Sequence, residues 1–520
     1  EGLHYGKTLK LSDLALALNT LQSCDTLIDN IRHHSENEND KIELGALANE
    51  VYEDGVRIAF SISEMTVKSR PYKEIAFYFA EKSKSAVLQE SIADAQAKSF
   101  AGIPNDILED EKNKKITIAL LTQKLSEKPA ANEERRLRGL LFNANTEYEQ
   151  FIKKLEKDYP EYYNLKFRPA TAKVGDVQKI LDSDQAVISY FIGNKNRKLY
   201  QFIISQKKFR VSSLSIPEDF ERNCKGLSNS LLFNDFNTYR STESLSKLLI
   251  PRLSVSIKKI VVIPSGRLGS VPFEALAYKK IKGGDFANVP FVIKRWAVSY
   301  EFAAGLMLQK NKEKGLATEN IFLCAPINFS ESQNLNDLPG TEKEVNAIGQ
   351  LFSSNSKISI HEDANEIVVK SKEVTNYNLL HFATHGIVDA TDPALSRIFL
   401  NSKGNEDGSL YCGEIYNLKM NANLVVLSAC ETGLGKISTG EGVIGLSRAL
   451  AYAGAKNIIV SFWKVADEST AELMVDFYKI HLQDKNKSFS QVLQSAKLDL
   501  IKNEKYASPY YWAPFVLIGK

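Results

Sequence analysis

Two short apolar runs, each closing on a reactive side chain, constrain this chain more than any other feature. They are Leu379-Leu380-His381-Phe382-Ala383-Thr384-His385-Gly386 and Leu424-Val425-Val426-Leu427-Ser428-Ala429-Cys430. Uninterrupted runs of this length, bounded by Gly or Asn-rich turns, predict strands buried on both faces, as in a parallel sheet. In such sheets the carboxyl ends of the strands face the ligand crevice, so neighbouring strands would deliver His385 and Cys430 to one rim.

The pairing has a chemical logic. A thiol attacks as thiolate, and an adjacent imidazole lowers a Cys pKa from ~8.5 to between ~3.5 and ~7.5. Gly386 has no Cβ, so its backbone N–H can approach a substrate carbonyl. The Gly386 and Cys430 amides are therefore candidates for an oxyanion hole. His385 precedes Cys430 by 45 positions. Caspases place their His about 50 residues before the Cys, although their local signature differs from Ser428-Ala429-Cys430-Glu431-Thr432-Gly433. The competing reading treats Cys430 as a small buried hydrophobe, a common fate for free Cys. His385 argues against it, because an imidazole at the end of an apolar strand is costly to bury without a partner.

A chain of 520 residues holds two to four domains. The net charge of +3, with Lys runs interleaved by Glu and Asp, gives no nucleic-acid footprint. No apolar run reaches the ~18 residues of a membrane span, and the start lacks a basic-then-apolar signal. The expected location is cytoplasmic. The first residue is Glu1 rather than Met, which suggests a processed or partial chain. Cys24, Cys224, Cys324, Cys412 and Cys430 are scattered, without metal-ligand spacing, so neither a disulfide framework nor a zinc site is expected.

Residues 11–102 show helical spacing throughout, with Pro71 marking a helix start. A pair is expected, residues 42–65 against residues 72–95, with Ala48, Ala76 and Ala80 at the tight crossings. That is the pattern of tetratricopeptide-like hairpins, or of an irregular helical domain. Residues 105–127 and 132–159 predict an antiparallel helical strut with Asn105 and Asn132 as N-caps. Strands follow at residues 186–192 and 199–205 around Gly193-Asn194-Lys195-Asn196, a hairpin signal, and then at residues 259–264. A second α/β unit begins near Asn320: strands at 321–324, 358–361, 379–385, 424–430, 458–463 and 514–518, helices at 341–352, 365–374, 440–453, 468–482 and 488–503, and a small hairpin from 398–401 and 408–411. This alternation predicts a mostly parallel sheet covered on both faces, in two units of which only the second has reactive strand ends.

Two phosphate-binding patterns near Cys430 fail on inspection. Gly433-Leu434-Gly435-Lys436 lacks the leading Gly, and Ile437 replaces the magnesium-binding Ser or Thr. Gly440-Glu441-Gly442-Val443-Ile444-Gly445 matches GxGxxG but starts ten residues after Cys430, too far to close a helix onto the strand end. A substrate-binding loop is the expected role.

His381-Phe382-Ala383-Thr384-His385-Gly386, Leu427 to Gly433 and Ser461-Phe462-Trp463-Lys464-Val465-Ala466-Asp467 together resemble the CHAT family of caspase-like cysteine peptidases, usually found behind tetratricopeptide repeats. Leu338-Pro339-Gly340-Thr341-Glu342, Ile263-Pro264-Ser265-Gly266 and Val271-Pro272-Phe273-Glu274-Ala275-Leu276 look like its accessory motifs. The resemblance implies an all-α region of tetratricopeptide-like hairpins (residues 1–102), a helical strut (103–174), an inactive pseudo-caspase half (175–315) and an active caspase-like half (316–520). It makes His385 and Cys430 the catalytic pair. A likeness to separases makes Asp467 a candidate floor for an S1 pocket selecting Arg or Lys. Lys464, where separases carry an acid, weakens that transfer, and a simple N-cap is the alternative. Tyr510, Tyr511 and Trp512 line either a substrate groove or the edge of an aromatic core, and His381 reads as interior. The implied activity is endopeptidase cleavage of a protein substrate, without metal or other cofactor. A regulatory protein or ribonucleoprotein would bind the helical repeats, as in peptidases of bacterial defence systems. The rival is a catalytically silent scaffold that only binds a protein partner.

Overall fold

The computed structural model describes residues 10–34, 38–84, 88–89, 104–126, 129–159, 171–310, 319–330, 333–389, 393–428, 436–438, 442–464 and 467–520. The longer helices are α1 (Leu11–His34), α2 (Glu38–Met65), α3 (Ser69–Lys82), α4 (Asn105–Ser126), α5 (Ala131–Asp158), α6 (Phe220–Leu232), α7 (Pro339–Phe352), α8 (Asp467–Gln483) and α9 (Phe489–Lys502). The strands are β1 (Gln185–Gly193), β2 (Lys198–Ser205), β3 (Phe209–Ser215), β4 (Lys259–Ile263), β5 (Ala297–Tyr300), β6 (Ile321–Ala325), β7 (Ser356–Ile360), β8 (Leu379–Ala383), β9 (Gly386–Ile387), β10 (Arg397–Phe399), β11 (Ser409–Tyr411), β12 (Leu424–Ser428), β13 (Lys436–Ser438), β14 (Gly442–Ile444), β15 (Asn457–Ser461) and β16 (Phe515–Ile518).

One sheet of eleven strands carries the α/β part, in the order β3-β2-β1-β4-β5-β16-β15-β12-β8-β6-β7. The sequence suggests two α/β units in series; the structure fuses them. The joint is β16, parallel to β5 and antiparallel to β15. Strands β1, β4 and β5 are mutually parallel, as are β15, β12, β8, β6 and β7. The two parallel sets therefore run in opposite directions, and their carboxyl ends open on opposite edges of the sheet.

Side chains alternate across the first set. Ile188, Tyr190, Ile260 and Val262 face the main core, while Val187, Phe191, Phe202 and Val261 face a second core built with α1, α2 and α3. Helices α2 and α3 meet closely at Gly55, where a Cβ would come within 2.5 Å of the Phe79 ring. Ala48, Ala76 and Ala80 are buried. The tip of the β1–β2 hairpin docks on α2, with Lys195 N–H donating to Glu53 and its ammonium to Asp54 at 3.0 Å. A deeper link ties α3 to the sheet: Glu81 accepts from Lys84 Nζ (3.0 Å), Ser189 Oγ (2.8 Å) and Ala304 N–H (2.6 Å). Every member is buried and hydrogen-bonded, the condition under which such a pair is tolerated.

Several local expectations change. The helix expected over residues 72–95 stops at Lys82, where Ser83 turns its hydroxyl back onto the Ala80 carbonyl. Asn132 lies inside α5, whose N-cap is Ala130 with no side-chain bond; α4 and α5 share a small core around Ile118, Tyr148, Phe151 and Leu155. Residues 365–374 form two short turns of helix, Glu366–Val369 and Lys372–Asn376, rather than one helix. The helix expected from Gly440 begins at Leu446 instead, because Gly442–Ile444 pairs with Lys436–Ser438 as a hairpin. Among the described residues no helix is long and apolar enough to cross a membrane.

Candidate functional site

Strands β8 and β12 are direct parallel neighbours, in register from Leu379 opposite Leu424 to Ala383 opposite Ser428. All ten residues of the two strands are buried, which the run of Leu, Val, Phe and Ala dictates for strands covered on both faces. His385 leaves the end of β8. Cys430 and its neighbours Glu431 and Thr432 lie outside the described residues.

His385 is held firmly although it sits beyond the strand. Only 8% of it is exposed. Its Nε2 lies 2.7 Å from the backbone carbonyl of Asn336. A carbonyl only accepts, so Nε2 is the donor here, and Nδ1 is the ring nitrogen this bond leaves over. The Phe329 ring packs on the imidazole at 4.9 Å between centroids. Both Phe329 and Asn336 come from the loop between β6 and α7, where Leu338 N–H donates to the Ile327 carbonyl and the Asp337 carboxylate accepts from Asn328 and from Phe329 N–H. Ile327 takes φ +66°, a costly backbone for a β-branched residue and of the kind found where a site over-determines its loop.

A small sheet, β9-β10-β11, latches the segment from the other side. Phe399 N–H donates to the His385 carbonyl at 2.9 Å, and Thr384 Oγ1 donates to the Phe399 carbonyl. The His385–Phe399 pair is thus hydrogen-bonded. The next opposed pair, Gly386 with Ile398, belongs to the non-bonded kind, so the Gly386 N–H turns away from β10. It has no partner among the described residues.

His381 is an interior residue, as its mid-strand position suggests. Its Nε2 is 3.0 Å from Glu344 Oε1 on α7 and its Nδ1 is 3.2 Å from the Tyr478 hydroxyl on α8, with no solvent exposure. Asp467 is the first residue of α8. Trp512 belongs to the core: it is fully buried, donates to the Ala507 carbonyl and packs on Phe291 at 5.1 Å, so it does not line a groove. Tyr510 accepts from Trp463 Nε1 through its carbonyl and is half-buried beside Tyr511. Of the other thiols, Cys224, Cys324 and Cys412 are buried, and burial pushes each up to about 12.

One acidic cluster could suggest a metal. Glu366, Glu406 and Glu414 converge, but Lys370 Nζ sits among them at 2.7, 2.6 and 2.6 Å. Burial would depress this ammonium; the three carboxylates outweigh that and raise it. The cluster already has its cation.

The sheet order, the parallel β8–β12 pair and the helical region before them define an α/β protein with a mostly parallel central sheet behind helical hairpins. The chain belongs to the CHAT family: the CHAT domain model matches residues 240–520, more than half of it. Two curated relatives share short stretches, tetratricopeptide repeat protein 28 of Mus musculus (30% identical over 115 residues, 21% of this chain) and of Homo sapiens (31% over 110 residues, 21%). The chain spans only 4% of the length of these relatives. Among solved structures, the Saccharomyces cerevisiae separase–securin complex is similar over 98% of this chain and 40% of that one, at 10% identity and TM-score 0.46. The pro- and mature domains of Porphyromonas gingivalis RgpB are similar over 58% of this chain and 77% of that one, at 10% identity and TM-score 0.38.

Proposed function

We propose that this chain is a cysteine endopeptidase that cuts a protein substrate, with Cys430 as nucleophile and His385 as its proton carrier. The observation that carries the reading is the register of β8 with β12. Ala383 and Ser428 stand opposite each other, strands in a sheet lie about 4.8 Å apart, and two residues span at most roughly 7 Å. His385 and Cys430 each follow their strand's end by two positions.

The Cys430 sulfur attacks the scissile carbonyl carbon as thiolate, its proton having passed to Nδ1 of His385. The carbonyl oxygen becomes an oxyanion, held by the Gly386 and Cys430 amides. Collapse breaks the C–N bond while the imidazolium returns its proton to the leaving amine. Water then attacks the thioester with His385 as base, releasing the acid and the thiol. The Asn336 carbonyl keeps the proton on Nε2 and so keeps Nδ1 for this work. Asp467 is the candidate acid of the S1 pocket, selecting a basic P1 residue.

We assign the partner-reading role to residues 1–102, the strut to 103–174, the supporting half to 175–315 and the cutting half to 316–520. A protein or ribonucleoprotein bound on the helices would regulate cleavage, as in a defence peptidase switched by a complex.

Thiol labelling tests the reading before any substrate is known. Iodoacetamide at neutral pH should mark Cys430 far faster than Cys24, and His385→Ala should slow that labelling. Equal rates at Cys24 and Cys430, unchanged by His385→Ala, would leave the chain a silent scaffold.

A further inference from the structure

We infer that the free edge of β3 is a docking rail for an extended acidic segment of a partner protein, which adds to the sheet as a twelfth strand. This does not depend on the peptidase reading.

Three observations carry it. First, the edge is unsatisfied in a regular way. Among the described residues β3 pairs only with β2. Ser205 and Lys208 exchange both backbone hydrogen bonds at the hairpin, and Ile216 N–H donates to Arg197 at the far end. The bonded pairs therefore fall at Arg210, Ser212 and Leu214. Phe209, Val211, Ser213 and Ser215 turn their N–H and C=O groups outward, and those groups have no partner among the described residues.

Second, both faces of the edge are open. Arg210, Ser212 and Leu214 look into a cleft of about 540 Å³, walled by Leu248, Pro251 and Tyr278. On the other face, Val211 and Ser213 border a cleft of about 470 Å³ against Arg57, Phe60 and Ser61 of α2. A strand laid beside β3 alternates its side chains between the two faces. It would fill both clefts at once, the geometry by which peptides bind at sheet edges.

Third, the charge selects the occupant. The first cleft carries Arg210, Lys247, Arg252, Lys279 and Lys280 against one carboxylate, Glu243, which Lys247 already holds at 3.2 Å. The second is close to neutral, with Arg57 held by Asp54 at 3.0 Å and Lys198 set against Glu64. The cationic wall of the first cleft favours acidic side chains at alternate positions of the incoming strand, and the second cleft, bordered by Phe60 and Val211, takes the apolar side chains between them. Natural edges are commonly blunted by a Pro or a charge; β3 has no Pro, its one charged side chain, Arg210, turns into the first cleft and donates to the Arg252 carbonyl at 2.6 Å, and its outward backbone is left clear among the described residues.

The test uses the full chain and a fluorescein-labelled ten-residue peptide of alternating Glu and Val, with the same peptide N-methylated at every second residue and a single-stranded RNA as controls. Fluorescence anisotropy should show binding of the plain peptide and little of the N-methylated one. Hydrogen exchange should slow at Val211 and Ser213 when peptide binds. Lys279→Glu with Lys280→Glu should weaken binding about tenfold or more. Val211→Pro should do the same, since it removes an outward N–H and leaves the β2–β3 ladder intact. Should Val211→Pro disturb folding, Ser213→Pro replaces it. Equal binding of the N-methylated peptide, unchanged exchange at Val211 and Ser213, preference for the RNA, or no peptide binding up to roughly 1 mM would each overturn the proposal.

Discussion

The two parallel sets within the sheet are built alike and end differently. In the first, β4 runs through Ile263 into Pro264 and Ser265, and among the described residues Ser265 Oγ only accepts a long 3.4 Å bond from Ile192 N–H. In the second, β8 runs into His385, which the Asn336 carbonyl, the Phe329 ring and the β9–β10 pairing fix from three directions. Because β15 and β16 are antiparallel, these two rims lie on opposite edges and cannot serve one crevice. The first set gains something else. One of its faces is given to α1, α2 and α3, and its outer edge stays open. The comparison teaches that strand direction alone can set two unlike rims of one sheet facing opposite ways.

The strongest way to break this comparison is to alter both rims. Cys430→Ala or His385→Ala should lower cleavage of an identified substrate by about 10⁴-fold or more, whereas Ser265→Ala should leave initial rates unchanged. Equal losses from the two rims would end the distinction.

Next in size are two of the buried ion pairs. Lys84→Met strands Glu81 between α3 and the sheet, and Lys497→Met strands Glu274. Removing one partner of a buried pair costs about 3–5 kcal/mol. Both variants should lose stability on that scale in urea unfolding. Lys84→Met should spare the rate of Cys430 alkylation, since Glu81 touches only the first set, whereas Lys497 also donates to the Phe515 carbonyl of β16. If alkylation falls equally in both, the halves are not separable.

A smaller effect sharpens the inner support of the second rim. Tyr478→Phe removes the hydroxyl that meets His381 and should cost about 1 kcal/mol in thermal or urea unfolding; no change would show that the His381 contact carries no net stability.

The smallest effect lies at the foot of the first set. The Lys259 ammonium, hydrogen-bonded at 2.6 Å, holds the Asp182 carboxyl below its usual range. A carboxyl depressed in the folded state adds stability above its unfolded pKa and loses it as pH falls through the lowered folded value. Asp182→Asn should therefore cost less than about 1 kcal/mol at neutral pH, as exposed pairs do, and nothing in strong acid. A cost that grew on acidification would reverse the sign.

Much of this was legible in the residues. The β1–β2 hairpin, β4, β6, β8 and β12 follow from apolar runs and turn chemistry, and the β8–β12 neighbourhood follows from parallel-sheet logic. Other features left weak marks or none. Phe209-Arg210-Val211-Ser212-Ser213-Leu214-Ser215 is Ser-rich and half-exposed, so β3 lacks a strand pattern; it forms because β2 offers it a ladder. Ala297–Tyr300 is too short to announce itself. The Asn336 contact is made by a backbone carbonyl, which any residue could supply, so no side chain records it. The opposed directions of the two sets depend on β16, whose four residues read the same whichever way they pair.

That last strand has a mechanical meaning. β16 matches β15 at four positions, Ile458 to Ser461, but meets β5 at one, Ile518 beside Tyr300, with Gly519 N–H adding a bond to the Tyr300 carbonyl. Along the rest of the sheet neighbouring strands are joined at three or more positions. Counted in ladder pairs, the β5–β16 line is the thinnest joint of the sheet, so the side-chain packing around it, Lys497 between Glu274 and Phe515 included, carries more of the union there than the backbone does.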